Sequence, residues 1–203
     1  MSEDRPSFRD YFRAIFLCVP EKVDWVTWGG RTVVWVVLLL WGLGFMLHSV
    51  ESNYVAESFL HHVNLVFHEG GHIVFMPFGR FMTALGGSLL QVLMPLIVMA
   101  TFLLKSRDAF GGSVGLWWTG QSLMDLAPYI NDARDLNLVL LGGYTGKEVE
   151  GHDWEWLLLK TGLIHQDHLL GHGAHNLGLA LMLLALVWGG YMLYRQFEAA
   201  KFP

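Results

Sequence analysis

Apolar residues run along this chain in blocks long enough to cross a bilayer, separated by short charged or glycine-rich breaks. A helix needs about 20 apolar residues to span the hydrocarbon core. The first block, Trp25 to Leu47, meets this and carries Trp25, Trp28 and Trp41 near the expected interface levels. The second, Tyr54 to Phe78, is predicted helical as far as Pro77-Phe78-Gly79-Arg80. Gly86-Gly87 is expected to open a third, Ser88 to Leu104, which stops at Lys105-Ser106-Arg107. A fourth, Phe110 to Ile130, is rich in Gly and Trp and contains Asp125. Residues 131 to 167 are polar and acidic apart from an amphipathic stretch, Trp154 to Leu163, and the last block runs from Leu169 to Tyr194 before Arg195 and Lys201. Ahead of all of these, Phe8, Tyr11, Phe12, Ile15 and Phe16 recur at helical spacing among Arg5, Arg9 and Arg13, the pattern of a helix lying on an anionic leaflet. The expected fold is all-α, a polytopic membrane helix bundle with four to five membrane-embedded helices. It divides into an interfacial amphipathic segment, 1–22, and a single membrane-embedded domain, 23–203.

Composition agrees with this pattern and narrows the chemistry. Of 203 residues, 53% are hydrophobic and only 15% charged, with a mean hydropathy of +0.39, so the chain belongs with membrane proteins rather than soluble enzymes. Little length remains outside the spans, which confines any chemistry to the bundle or its rim. A net charge of −5 gives no reason to expect a nucleic-acid partner; the bilayer itself is the expected one. The single cysteine, Cys18, excludes an intramolecular disulfide and a cysteine-rich zinc site, leaving His and carboxylates as metal ligands. Residues 1 to 22 carry Asp10 and Glu21 and lack a continuous apolar core, so no cleavable signal peptide is expected.

Charge bias constrains the topology. Arg and Lys collect at residues 5 to 31, 105 to 107 and 195 to 201, whereas acids dominate 51 to 57 and 132 to 167. By the positive-inside rule both termini and the 105 loop are cytoplasmic, as for a multi-pass protein of a plasma (inner) membrane. Five full crossings contradict this. Four satisfy it if the segment from Tyr54 through Gly87 is re-entrant, entering and returning on one side; five spans with a weakened charge rule is the competing arrangement. Irregular backbone at that depth is tolerated where it lines a cavity or is buried in protein.

The chemistry concentrates in His68-Glu69-Gly70-Gly71-His72, inside the apolar run from Val63 to Phe78. Imidazoles four residues apart share one helix face, so both can hold one tetrahedral zinc while the intervening Glu reaches its water. Hydrolysis by zinc takes three protein ligands and an open position. The preferred third ligand is Asp132, which follows Asp125-Leu-Ala-Pro128-Tyr-Ile-Asn131; His152 and His172 are the less favoured alternatives, and Asp125 is weaker still.

In these residues the chain resembles the site-2 protease family of intramembrane zinc metallopeptidases. That family pairs a membrane-embedded His-Glu-x-x-His with a distant Asp after a Pro-containing segment, and Leu-Ala-Pro-Tyr-Ile-Asn-Asp matches loosely. Its intervening Gly-Pro-x-x-Asn element corresponds to Gly87-Ser88-Leu89-Leu90-Gln91, with Ser for Pro and Gln for Asn. Asp132 is followed by Ala133 where the family has Gly. The resemblance spans Val63 to Asp132. It implies a zinc cofactor, Glu69 as general base, Gln91 and Gly87 as contacts to a substrate strand, and a membrane protein or peptide as substrate.

Two further features keep other functions open. His165, His168, His172 and His175 fall on one helical face leading into the last span, and His152-Asp153-Trp154 forms a polar knot whose carboxylate could orient an imidazole. With ten His in the chain, a membrane di-metal oxidoreductase of desaturase or hydroxylase type is one alternative, although His61-His62 is the only adjacent His pair. A non-catalytic metal-binding membrane protein is another.

Overall fold

The computed structural model describes residues 7–20 and 23–201, and the regular elements among them are helical. Arg5 and Glu21, both used in reading the 1–22 segment, lie outside the described residues. The helices are α1 (Phe8–Phe16), α2 (Trp25–Met46), α3 (Phe59–Phe75), α4 (Arg80–Leu104), α5 (Ala109–Asn131), α6 (Asp153–Thr161) and α7 (Asp167–Lys201). Among the described residues three stretches are long and apolar enough to cross a membrane: Trp25–Met46, Arg80–Leu104 and Ile164–Lys201.

Helix starts follow the capping chemistry of the sequence. Ser7 and Asp10 form a reciprocal capping box on α1, whose Phe8, Tyr11 and Phe12 stay exposed. Asp24 caps α2 and Asp108 caps α5, each accepting backbone N–H groups of the first turn. The second apolar block begins its α-helix later than expected. Ser58 accepts from Leu60 N–H and starts α3 at Phe59, while Val50–Ser52 and Tyr54–Glu57 are 3₁₀ turns joined at Asn53 with φ +49°. Pro77 sits in the turn Met76–Phe78, and Gly79, at φ +90°, reverses the chain into α4.

Gly86-Gly87 does not open a helix; it lies inside α4, which starts at Arg80. The reason is packing. Gly71 of α3 and Gly86 of α4 meet backbone to backbone, and a methyl on Gly86 would lie 2.7 Å from Gly71 O. The two helices form an antiparallel hairpin closed by small residues.

The interior is built on α5 against α7. Gly120 and Gly178 cross at close range, and Trp117, Met124, Met182 and Ala185 fill the core around them with Phe45 of α2. At one end of the bundle Trp28 Nε1 donates to Leu193 O (3.1 Å), Arg31 pairs with Asp108 (2.9 Å), and Trp188 Nε1 donates to Phe16 O (2.8 Å). The basic segments around residues 31, 105 and 195 are thereby gathered together. At the other end Arg134 binds Asp167 (2.7 Å) and His172 binds Glu51 (3.0 Å).

Candidate metal centre

Helical spacing alone puts His68 and His72 on one face of α3, with ring centroids 5.0 Å apart. Each ring is then held from behind. His72 Nδ1 lies 2.8 Å from Thr83 O and His68 Nδ1 lies 3.0 Å from Gln91 Oε1. Both oxygens only accept, so both Nδ1 atoms carry the proton and both Nε2 lone pairs point forward. The rings fit because of Gly87: a methyl there would lie 2.6 Å from His68 Nε2 and 2.7 Å from His72 Cε1.

The carboxylate that meets them is Asp153, the first residue of α6. Its Oδ2 lies 3.3 Å from His72 Nε2 and 3.6 Å from His68 Nε2. Tyr129 of α5 holds it in place, the hydroxyl donating to Asp153 Oδ2 (3.2 Å) and accepting from Asp153 N–H (2.9 Å). Burial would raise the Asp153 carboxyl, but with no metal bound Nε2 protons of His68 and His72 can hydrogen-bond to it and outweigh burial, holding it at about 2, so it is ionised at neutral pH; a metal ion would take the place of those protons. The three ligand atoms lie within 4.8 Å of one another, and among the described residues this is the group that could hold a metal ion. Donors about 2.0–2.1 Å from a tetrahedral ion sit about 3.3–3.4 Å apart. The Asp153 distances fit that geometry.

A cavity of about 710 Å³ opens in front of the group, lined by Glu69, His61 and Asp125 and by apolar residues including Leu65, Leu126, Leu138 and Leu140. Glu69 is exposed on this wall, next in the chain to His68.

Asp132 stands elsewhere, contrary to the preferred expectation. It is the C-cap of α5, and its two carboxylate oxygens accept the backbone N–H groups of Asn137 and Leu138, each at 2.9 Å. Pro128 does not break α5, which continues to Asn131, so Asp132 closes the following loop. His152 is the N-cap of α6: Nδ1 accepts from Glu155 N–H (3.1 Å), the ring packs on Tyr129, and Nε2 lies 3.6 Å from Asp132. Burial pushes its pKa down. His172 is taken up by Glu51, and His168 lies 3.8 Å from both Asp135 and Asp167, so the histidine stripe does not join the group. Asp125 faces His61 at 2.9 Å. Gln91 reaches the cavity wall but is buried, with its amide occupied by His68 and Asp125. Sequence reasoning did not name Asp153 as a ligand and gave its carboxylate, in the His152-Asp153-Trp154 knot, only the part of orienting an imidazole; an acid in the first turn of a helix capped by its neighbour was the available signal.

No family model, curated protein or solved structure shows detectable similarity to this chain.

Proposed function

We propose that the chain is an intramembrane zinc metallopeptidase that hydrolyses peptide bonds of a membrane-spanning or membrane-proximal substrate. The observation that carries this reading is the meeting of His68, His72 and Asp153 beside an exposed Glu69 at the floor of an open cavity. Two neutral imidazoles and one carboxylate would hold zinc as a net positive centre, with a fourth position toward the cavity. When bound, the ion would polarise the scissile carbonyl and acidify water. Glu69 then accepts the proton of the attacking water and returns it to the leaving amine. The apolar wall receives the unwound substrate segment and excludes bulk water.

We also propose four crossings, α2, α4, α5 and α7, with α3 entering and leaving on the side of the acidic loop. In support, the basic segments share one end of the bundle, and α5 is buried along most of its length, so it needs no apolar surface toward lipid. By charge bias that basic end is cytoplasmic in a plasma (inner) membrane.

The test is metal content and turnover of purified protein in proteoliposomes carrying transmembrane reporter peptides. Glu69→Gln is expected to keep one zinc per chain and lose cleavage by about 100-fold or more, the scale of a general base. Asp153→Ala is expected to lose zinc, while Asp132→Ala keeps it. Undiminished cleavage by Glu69→Gln, or stoichiometric zinc in Asp153→Ala, would sink the proposal; two irons per chain would favour the oxidoreductase reading.

A further inference from the structure

Asp125 is a carboxylate in the middle of an apolar bundle, its side chain 2% exposed, and it is not part of the metal group. A buried carboxylate is costly unless its oxygens are met by donors. Here they are met from three sides: Gln91 Nε2 and Asn64 Nδ2 each lie 3.0 Å from Oδ2, and His61 Nδ1 lies 2.9 Å from Oδ1. The consequence reaches further than Asp125 itself.

An ionised carboxylate only accepts hydrogen bonds, whereas a glutamine amide can present either face. Asp125 removes that freedom by drawing the Gln91 nitrogen toward itself, which leaves Gln91 Oε1 pointing at His68. An amide oxygen also only accepts, so the proton of His68 must sit on Nδ1, and the lone pair on Nε2 faces Asp153 and His72. The other imidazole needs no such device, because its Nδ1 meets a backbone carbonyl, Thr83 O, which cannot flip. Asn64 is fixed independently: its Oδ1 accepts from the indole N–H of Trp118 at 2.9 Å, a group that can only donate, so its nitrogen must face Asp125. The link that could flip is Gln91; its nitrogen also lies 3.4 Å from Ser122 O, a longer contact that favours the same face, and Asp125 at 3.0 Å supplies the shorter hold.

We infer that Asp125 is a positioning residue that acts through Gln91 to set the His68 tautomer and so presents Nε2 to the metal. This rests on the metal-centre reading for its consequence, but the link from Asp125 to His68 is a property of the protein alone.

The experiment is ¹⁵N NMR of histidine-labelled protein in micelles, metal-free and with cadmium-113, alongside zinc titration. In the wild type, at a pH high enough that the metal-free rings are neutral, both His68 and His72 are expected as Nδ1–H tautomers, and with cadmium bound the coupling is expected to Nε2. In Asp125→Asn, His68 is expected to become a mixture of tautomers while His72 stays unchanged, an internal control that the fold is intact. Zinc affinity is expected to fall about 10 to 100-fold, as for loss of a group that orients a ligand. Asp125→Asn made in a Gln91→Leu background is expected to add little, because its route to His68 is already cut. An unchanged His68 tautomer in Asp125→Asn overturns the inference, as does an equal loss of zinc affinity with and without Gln91. If the wild type takes up neither cadmium nor zinc, the metal-centre reading fails, while the metal-free His68 signal still decides the Asp125 link.

Discussion

At the scale of single residues, the two central glycines of His68-Glu69-Gly70-Gly71-His72 have different duties that their adjacency in sequence conceals. A methyl on Gly70 meets nothing closer than a Leu90 methyl at 3.8 Å, an ordinary contact, whereas one on Gly71 runs into the backbone of Gly86. Gly70→Ala is therefore expected to stabilise the protein by about 0.4–1 kcal/mol through lower unfolded-state entropy. Gly71→Ala should destabilise by about 1–3 kcal/mol as α3 and α4 are forced apart. Gly87→Ala falls on the imidazoles themselves and should abolish zinc binding. Thermal unfolding in micelles and zinc titration separate the three, and equal behaviour of Gly70→Ala and Gly71→Ala would refute the close α3–α4 crossing. The histidine pair and Glu69 were legible because their relation is local to one helix. Gly87 was legible as a landmark but not as the clearance for two rings, since that role depends on α4 lying under α3.

At the scale of elements, α6 decides whether the site is complete, because it carries Asp153 and is only nine residues long. Its place is set by capping from His152, by Tyr129, and by Trp154, whose Nε1 donates to Ser88 Oγ of α4 at 3.1 Å. Arg80 over the Trp156 ring at 4.9 Å adds a second tie to α4. Trp154→Phe keeps an aromatic ring and removes the hydrogen bond together with part of the indole's contact area. It is expected to weaken zinc binding several-fold, by the roughly 1 kcal/mol of one hydrogen bond, with no change in the ligands. Ser88→Ala should do the same, and the double variant should be no worse than either single one in isothermal titration. Additive losses would mean that Trp154 and Ser88 act separately. The segment Trp154 to Leu163 was visible in the sequence as a short amphipathic stretch, but nothing in its pattern says which helix it packs on.

At the scale of the whole molecule, contacts between distant segments agree with the charge pattern. Arg31 on Asp108 and Trp28 on Leu193 tie the start of α2, the α4–α5 turn and the end of α7 to one end, with α1 docked there through Trp188. The acidic loop and α6 lie at the other end, beside the metal group. In a Cys18-free background, Ser106→Cys and Leu141→Cys are expected to react with an impermeant thiol reagent from opposite faces of sealed vesicles. Labelling of both from one face would exclude the four-crossing arrangement. In the proposed four-crossing arrangement the exposed aromatic face of α1, Phe8, Tyr11 and Phe12, would lie at the headgroup level of the basic end.

The amino-acid sequence by itself determined whatever depends on neighbours within a turn or two of helix: the apolar blocks, the shared face of His68 and His72, and the segregation of charge. These follow from helical periodicity and from the cost of burying charge in lipid, which act locally. Only the tertiary structure decided that Asp153 rather than Asp132 faces the imidazoles, that Gly86 and Gly87 lie inside a helix, and that Asp125 stands behind His68 through Gln91. Each of those is a contact between helices far apart in the chain. Which carboxylate arrives depends on how glycine-lined helix faces dock and on which backbone N–H groups have already claimed Asp132.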